Sequence, residues 1–178
     1  EHSVPIIPRG AGTGLSGGAR PHQEGVVLGL SKMSAILDID PQNRIAKVQP
    51  GVRNLAITRA AQAHGLYYAP DPSSQIACSI GGNVAENAGG VHCLKYGLTV
   101  NNVLGARVVM ACGEIVELGG ALYDNPGPDL LALICGSEGM LGIVTEVTVA
   151  LLPEPETKAV LLAAFSQVVD AGSAVAAI

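Results

Sequence analysis

Twelve of the 23 glycines in this 178-residue chain crowd into three short stretches, and that crowding limits the possible folds more than any other feature. Residues 10–18 hold Gly10, Gly12, Gly14, Gly17 and Gly18, residues 81–90 hold Gly81, Gly82, Gly89 and Gly90, and residues 136–142 hold Gly136, Gly139 and Gly142. An even spread would put about three glycines in those 26 positions. Glycine weakens a helix or strand by roughly 0.5–1 kcal/mol, so each cluster needs a local reason. Two reasons are available: a turn, or a ligand that must touch main chain. Turns suit Gly113, Gly119-Gly120 and Gly127. They suit the clusters poorly, because each is longer than a turn requires and is flanked by strand-like or helix-like sequence.

Composition narrows the rest. Hydrophobic residues make up 48% and charged residues 14%, against a usual ~25% charged, which gives core enough for one domain and excludes intrinsic disorder. Ten Lys+Arg against fifteen Asp+Glu leave a net charge of −5 and no basic stripe, so nucleic acid is not an expected partner. The longest apolar stretch, Ala159–Phe165, is far short of the ~20 residues that span a bilayer. No signal-peptide pattern opens the chain, and the expected location is cytoplasmic. Cys78, Cys93, Cys112 and Cys135 form no C-x-x-C pair and have no clustered histidines beside them, so they read as reduced, mostly buried small hydrophobes. His2, His22 and His64 have surface or helix-end readings without metal-ligand spacing. No nucleophile with an adjacent base appears, and hydrolase chemistry is not supported.

Periodicity and punctuation predict a short buried strand over Val4–Ile7, a glycine loop, and a second strand over Val26–Leu30. Ile36–Ile39 and Arg44–Gln49 form a hairpin around Asp40-Pro41-Gln42-Asn43. Asn54–His64 is a helix with Asn54 at or near its N-cap and Gly65 as its left-handed stop. A short helix runs from about Gly81 toward Asn87, a second hairpin joins Val103–Ala111 to Ile115–Leu118, and Asp129–Ile134 is a short helix. Ile143–Leu151 alternates as a half-buried antiparallel strand with Ile143, Thr145, Val147, Val149 and Leu151 on one face. Lys158–Phe165 is a further strand, and Ser166–Ile178 begins a helix.

Gly12-Thr13-Gly14-Leu15-Ser16-Gly17 satisfies G-x-G-x-x-G after a strand, with Asp38 about twenty residues on, the spacing of a Rossmann dinucleotide fingerprint. That motif seats pyrophosphate on a crossover helix, and residues 18–25 are too few and contain Pro21, so the Rossmann reading fails. What remains is a glycine loop opened by Arg9, able to turn successive N–H groups inward as an anion-binding nest. No Walker-type G-x-x-x-x-G-K-[ST] occurs.

Pro8-Arg9-Gly10-Ala11-Gly12-Thr13-Gly14 with Ser16-Gly17-Gly18, Pro70-Asp71-Pro72-Ser73-Ser74 with Ile80-Gly81-Gly82-Asn83 and Asn87-Ala88-Gly89-Gly90, Lys95-Tyr96-Gly97, and Gly136-Ser137-Glu138-Gly139-Met140-Leu141-Gly142-Ile143-Val144-Thr145-Glu146 follow one another along the chain. Together they resemble the FAD-binding domain of the vanillyl-alcohol oxidase / p-cresol methylhydroxylase (PCMH-type) flavoproteins, nearest the branch that holds the flavin-carrying chain of glycolate oxidase and the D-lactate dehydrogenases. The resemblance implies an α+β fold of two lobes with FAD between them. Residues 1–165 would be the FAD-binding domain, incomplete at its N-terminus, with a small lobe at about 1–33 and a larger one at about 34–165. Residues 166–178 would begin a truncated substrate or cap domain.

Carried over residue by residue, Pro8 and Arg9, Gly10, Ala11, Gly12, Thr13 and Gly14 would cradle the FAD pyrophosphate. Asp71 to Ala77, Pro72, Ser73 and Ser74 among them, with Gly81, Gly82, Asn83 and Ala85, would line the isoalloxazine and ribityl side, and Asn87 and Gly89 would be further cofactor contacts. Glu138 to Val144, Gly142 among them, would meet the cofactor through backbone, with Ile143 and Val144 at the edge of a ring system. Members that attach flavin covalently through this domain use a histidine in the first loop; residues 9–18 contain none, so the implied FAD is dissociable. His92 and Cys93 lie near the second cluster, where a bond to the flavin is the alternative to the favoured reading of a partly buried polar residue and a packed thiol. Lys95 either offsets charge on a reduced flavin or faces solvent, and Arg107 either reaches the cofactor or, the favoured reading, pairs with Glu114 or Glu117.

The implied activity is oxidation of a small 2-hydroxy acid of the glycolate or D-lactate type by hydride transfer to flavin N5. Catalytic side chains are expected in the substrate domain and none here, no metal is expected, and electrons would pass to another acceptor or an iron–sulfur subunit. No iron–sulfur ligand pattern occurs in the chain. The rivals are the same fold serving a sugar nucleotide, an aromatic alcohol or an ether lipid, and a non-catalytic module binding a nucleotide or pyrophosphate ligand.

Overall fold

The computed structural model describes residues 4–122 and 126–178, so His2 lies outside the described residues. Strands β1 (Ile6–Arg9) and β2 (Val26–Gly29) pair in parallel, Ile6 opposite Val26 and Arg9 opposite Gly29. The connection between them contains no helix, as the glycines and Pro21 require. The first strand runs two residues later than expected and is not buried: Ile6 is 59% and Val26 56% exposed. A two-stranded ribbon leaves most of its surface to solvent unless a second layer covers it.

Both predicted hairpins form. Strands β3 (Ile36–Asp40) and β4 (Ile45–Val48) close on a turn in which Asp40 Oδ1 accepts from the Gln42 and Asn43 amides at 2.9 and 3.0 Å. These contacts, above all the Asn43 amide, hold the Asp40 carboxyl below its ordinary pKa. Helix α1 (Asn54–Ala61) continues through a 3-10 turn at Gln62–His64 and stops at Gly65, whose φ of 66° is the expected left-handed cap. Arg53, not Asn54, takes the N-cap position. Asn54 is 1% exposed, and its side chain donates to the Pro70 carbonyl at 2.9 Å.

Strand β5 (Leu66–Tyr67) precedes helix α2 (Ile80–Glu86), which ends at Asn87 in the left-handed region, φ 50°. Short helices α3 (Cys93–Tyr96) and α4 (Thr99–Asn102) lead into the second hairpin, β6 (Val103–Met110) and β7 (Ile115–Gly119). Helix α5 (Leu130–Ile134) is capped by the Asp129 carboxylate, which accepts from the Ala132 amide at 2.9 Å. Strands β8 (Gly142–Ala150) and β9 (Leu152–Pro153) and helix α6 (Val168–Ala177) complete the order.

The core lies on one face of an antiparallel five-stranded sheet ordered β3-β4-β8-β6-β7, against α1 and α2. Val48, Ile57, Ile80, Val84, Val108, Val147 and Val149 are fully buried there. The simple alternation expected for Ile143–Leu151 breaks within β8. Arg107 sits opposite Glu146 but Val108 opposite Val144, so Thr145 bulges out of register. Side chains past a bulge change phase, and Val144 and Val147 therefore both point inward. The strand expected over Lys158–Phe165 does not form, and Val160 and Leu162 are 95% and 100% exposed. Apolar β-propensity makes no strand without a partner edge to bond to. Cys78 and Cys135 are buried, Cys93 is partly buried and Cys112 is exposed, so the expectation of mostly buried thiols holds for the first two. Arg107 pairs with Glu117 at 2.6 Å as expected and also with Glu146 at 2.9 Å, on whose far side Lys47 stands at 2.7 Å.

Candidate functional site

The three glycine-rich stretches meet. The loop after β1 rests on the start of α2, where a Cβ added to Gly10 would stand 2.5 Å from Ser79 Oγ. Farther along, Ser16 Oγ donates to Glu86 Oε2 at 2.6 Å. The second and third stretches are joined by main chain: the Gly136 and Glu138 amides donate to the Val84 and Ala85 carbonyls at 2.8 Å each. The third returns to the first at Gly139, where φ is 76° and an added Cβ would meet Pro8 Cγ at 2.8 Å. Between Gly136 and Gly139, Glu138 itself sits at φ 54°, a conformation costly for a residue with a Cβ and a mark of sites under functional constraint.

The junction encloses a cleft in two connected parts. The wide part, of about 310 Å³, is lined by residues 8–14, 17–21, 78–79, 82–83, 85–86 and 88 with Ser74 and Glu138. The narrow part, of about 60 Å³, is lined by Leu30, Pro50, Gly81, Val84, Ile134 and residues 137–139 and 142–144, and shares Pro8, Gly10, Ser79, Gly82, Ala85 and Glu138 with the wide one. The wide part alone falls within the ~300–1,000 Å³ of small-molecule sites. A roomier recess of about 560 Å³ beside α5 and β7 gathers none of the three glycine stretches and is lined by two carboxylates, Glu117 and Asp129, without a cation.

The glycines of the first two stretches serve different tasks. The nine consecutive N–H groups from Gly10 to Gly18 donate to no described residue. Residues 11–18 are exposed, so water satisfies these amides in the free protein, and a glycine loop of N–H groups with no protein partner beside a cleft is able to turn them onto an anion. Arg9 and Arg20 line the same wall and form no ion pair among the described residues. Helix α2 differs. Its Ile80, Gly81 and Asn83 amides donate to the Val52, Pro50 and Ser79 carbonyls, and Gly82 donates to the Ser79 hydroxyl. Gly81 is glycine because Pro50 lies against it, 2.6 Å from where a Cβ would be. Asn83 is likewise engaged, donating to Asn54 Oδ1 at 2.9 Å in a buried chain that runs on to Pro70.

Of the residues singled out in the sequence, Pro8 through Gly14, Ser74, Gly81, Gly82, Asn83, Ala85, Glu138, Gly142, Ile143 and Val144 line the cleft. Asp71, Pro72, Ser73, Asn87 and Gly89 do not. The Asp71 carboxylate is taken by His92, accepting from its amide at 3.3 Å and meeting Nδ1 at 2.6 Å. Asn87 caps α2 and accepts from the Val100 amide at 2.9 Å. Gly89 packs against Leu98 and Cys93. Lys95 places its ammonium 5.1 Å from the Tyr96 ring, which in turn meets Tyr67 edge-on at 6.3 Å. The Tyr67 hydroxyl is pushed up by burial and Tyr96 is lowered by its hydrogen bond to Tyr67. Arg20, Ser79, Glu86 and Pro50 are lining residues that the sequence reading did not single out. Only Ser79, a serine just ahead of a short helix, carried a readable signal, that of an N-cap.

Comparison with known proteins agrees with this geometry. The sequence profile of a family described as "FAD binding domain" matches residues 1–119. The chain is 65% identical over 172 residues to the glycolate oxidase subunit GlcD of Escherichia coli (strain K12), covering 97% of this chain and 34% of that protein. It is 44% identical over 172 residues to a D-lactate dehydrogenase of Archaeoglobus fulgidus, covering 96% and 38%. Among solved structures, an alkyldihydroxyacetonephosphate synthase superposes with a TM-score of 0.76 at 27% identity, covering 88% of this chain and 28% of that one. The chain thus spans about a third of the length of the curated relatives it matches.

Proposed function

We propose, for a chain that belongs to the FAD binding domain family, that its α+β frame is the flavin-holding part of an oxidoreductase for small 2-hydroxy acids such as glycolate or D-lactate. The observation that carries the reading is the run of unpaired amides from Gly10 to Gly18 beside Arg9 and Arg20, on the wall of a glycine-lined cleft. It fits a pyrophosphate: backbone dipoles and two guanidinium groups supply positive potential in a protein whose net charge is −5. Arg9 and the loop amides would hold the two phosphates. Ser74 and Cys78 line only the wide part and Gly142, Ile143 and Val144 only the narrow part, so the two ring systems would lie on either side of the loop. The narrow part is largely apolar, which favours a flat ring over water.

Bound FAD supplies a two-electron acceptor for a hydride leaving the substrate carbon. This chain's own residues bind and orient. The missing side chains at Gly139 and Gly142 make room for Pro8 and Val108, which brings the main chain of the third stretch against β1 and against β6, and the Asn54–Asn83 pair fixes α2 against the Pro70 segment. Attachment is non-covalent on this reading: the first loop has no histidine, His92 is held by Asp71, and Cys93 packs beside Gly89. The remaining parts of the reading are a small lobe at about 1–33, a larger one at about 34–165, a substrate domain beginning near 166, and transfer of electrons to an iron–sulfur or other acceptor. They rest on the family likeness, and the separate β1-β2 sheet supports the first division. A cytoplasmic location is part of it, supported by four free thiols; no helix among the described residues is long and apolar enough to cross a membrane.

Absorption spectroscopy tests the reading. The full-length protein should carry or take up FAD, release it on denaturation, and lose its visible flavin absorbance under anaerobic glycolate or D-lactate. A colourless protein whose melting temperature ignores FAD but rises with another nucleotide would overturn it.

A further inference from the structure

We propose, resting on the reading that FAD occupies this cleft, that Glu86 is a positioning residue: it latches the amide loop through the Ser16 hydroxyl and so governs how tightly FAD is captured. The main chain from Gly10 to Gly18 donates no hydrogen bond to a described residue that would order its N–H groups. Its tip is held from outside instead. Ser16 Oγ donates to Glu86 Oε2 at 2.6 Å, and Gly14 passes the same carboxylate so closely that an added Cβ would stand 3.3 Å from Oε1. The carboxylate is presented from a firm base. Glu86 is the last residue of α2, and the two carbonyls just before it, Val84 and Ala85, accept from the Gly136 and Glu138 amides.

Charge alone gives no reason for a carboxylate at this place, since it opposes an anion arriving beside it. Its contact with Ser16 does. A loop ordered before its ligand arrives loses less conformational entropy on binding, so the latch raises affinity by fixing the cradle in advance. Both side chains are exposed, which limits a hydrogen bond to a charged acceptor to about a tenfold effect.

The test is a double-mutant cycle on the full-length protein, stripped of flavin and titrated with FAD, read by quenching of flavin emission. Ser16→Ala should weaken FAD about tenfold, Ser16→Thr should restore most of the loss, and Ser16→Ala should have no further effect in a Glu86→Ala background. Trypsin should cleave the apo Ser16→Ala protein after Arg9 faster than wild type, at an unchanged melting temperature. Equal FAD affinity for Ser16→Ala and wild type, or additive effects of the two alanine changes, would overturn the latch. Failure of wild type itself to take up FAD would instead overturn the reading of the cleft.

Discussion

Replacing Gly139 by alanine separates two costs that the structure assigns to that position. The residue sits at φ 76°, and a Cβ there would stand 2.8 Å from Pro8 Cγ. The left-handed conformation costs a non-glycine residue about 1–2 kcal/mol. Pressing a methyl group into a rigid proline ring adds about 1–3 kcal/mol of overpacking, so Gly139→Ala should lose roughly 2–5 kcal/mol. Two other glycines serve as internal standards. Gly65 has φ 66° and nothing within 4 Å of an added Cβ, so Gly65→Ala should show the conformational cost alone, about 1–2 kcal/mol. Gly29 has neither the positive φ nor a neighbour, and Gly29→Ala should be neutral or stabilising by up to about 1 kcal/mol. Urea unfolding of the three variants at equal protein concentration measures all of this, with the slope checked for two-state behaviour. Equal losses for Gly139→Ala and Gly65→Ala would refute the claim that the third glycine stretch is pressed against the first at Pro8.

Asn54→Leu should cost about 2–5 kcal/mol, since it strands the Pro70 carbonyl and the Asn83 amide in the interior, and FAD affinity should fall with it because Asn83 lines the cleft; thermal melts with and without FAD read both. Glu146 is held below the ordinary carboxyl pKa chiefly by its hydrogen bond to Lys47, so its stabilising contribution is present above the unfolded value near 4.5 and is lost as pH falls through the lower folded value. Glu146→Gln should therefore flatten the loss of stability between pH 5 and acid by about 1 kcal/mol in urea titrations, and a variant whose pH profile matches wild type would contradict this. Burial pushes the Cys135 thiol up to about 11, so a thiol reagent at pH 8 should label exposed Cys112 first and reach Cys78 and Cys135 only after unfolding, as peptide mapping would show.

How far the chain could be read in advance follows from where its chemistry is local. Asp40-Pro41-Gln42-Asn43 encodes a turn through its own side chains, and Gly65 stops a helix by being glycine, so both positions were legible. The three glycine clusters were legible as a surplus without a turn to explain it. The phase of β8 was not, because the bulge at Thr145 depends on the register that β6 imposes from 38 residues away. Lys158–Phe165 has strand composition, but a strand is a pairing between two segments and composition describes one. Asp71 and Gly81 show the limit at the site itself. A carboxylate near a glycine cluster looks the same in sequence whether it faces a ligand or, as here, His92. A glycine looks the same whether it makes room for a cofactor or for Pro50.

Hydrogen–deuterium exchange with and without FAD tests the central claim most directly, because the unpaired amides at 10–18 should exchange rapidly in the apo protein. Added FAD should slow exchange at residues 10–18 and, in the same titration, at 78–88 and 137–144, while residues 117–122 and 126–132 beside the larger recess stay unchanged. Protection confined to one of these stretches, or appearing beside the larger recess instead, would contradict a single cleft built from all three.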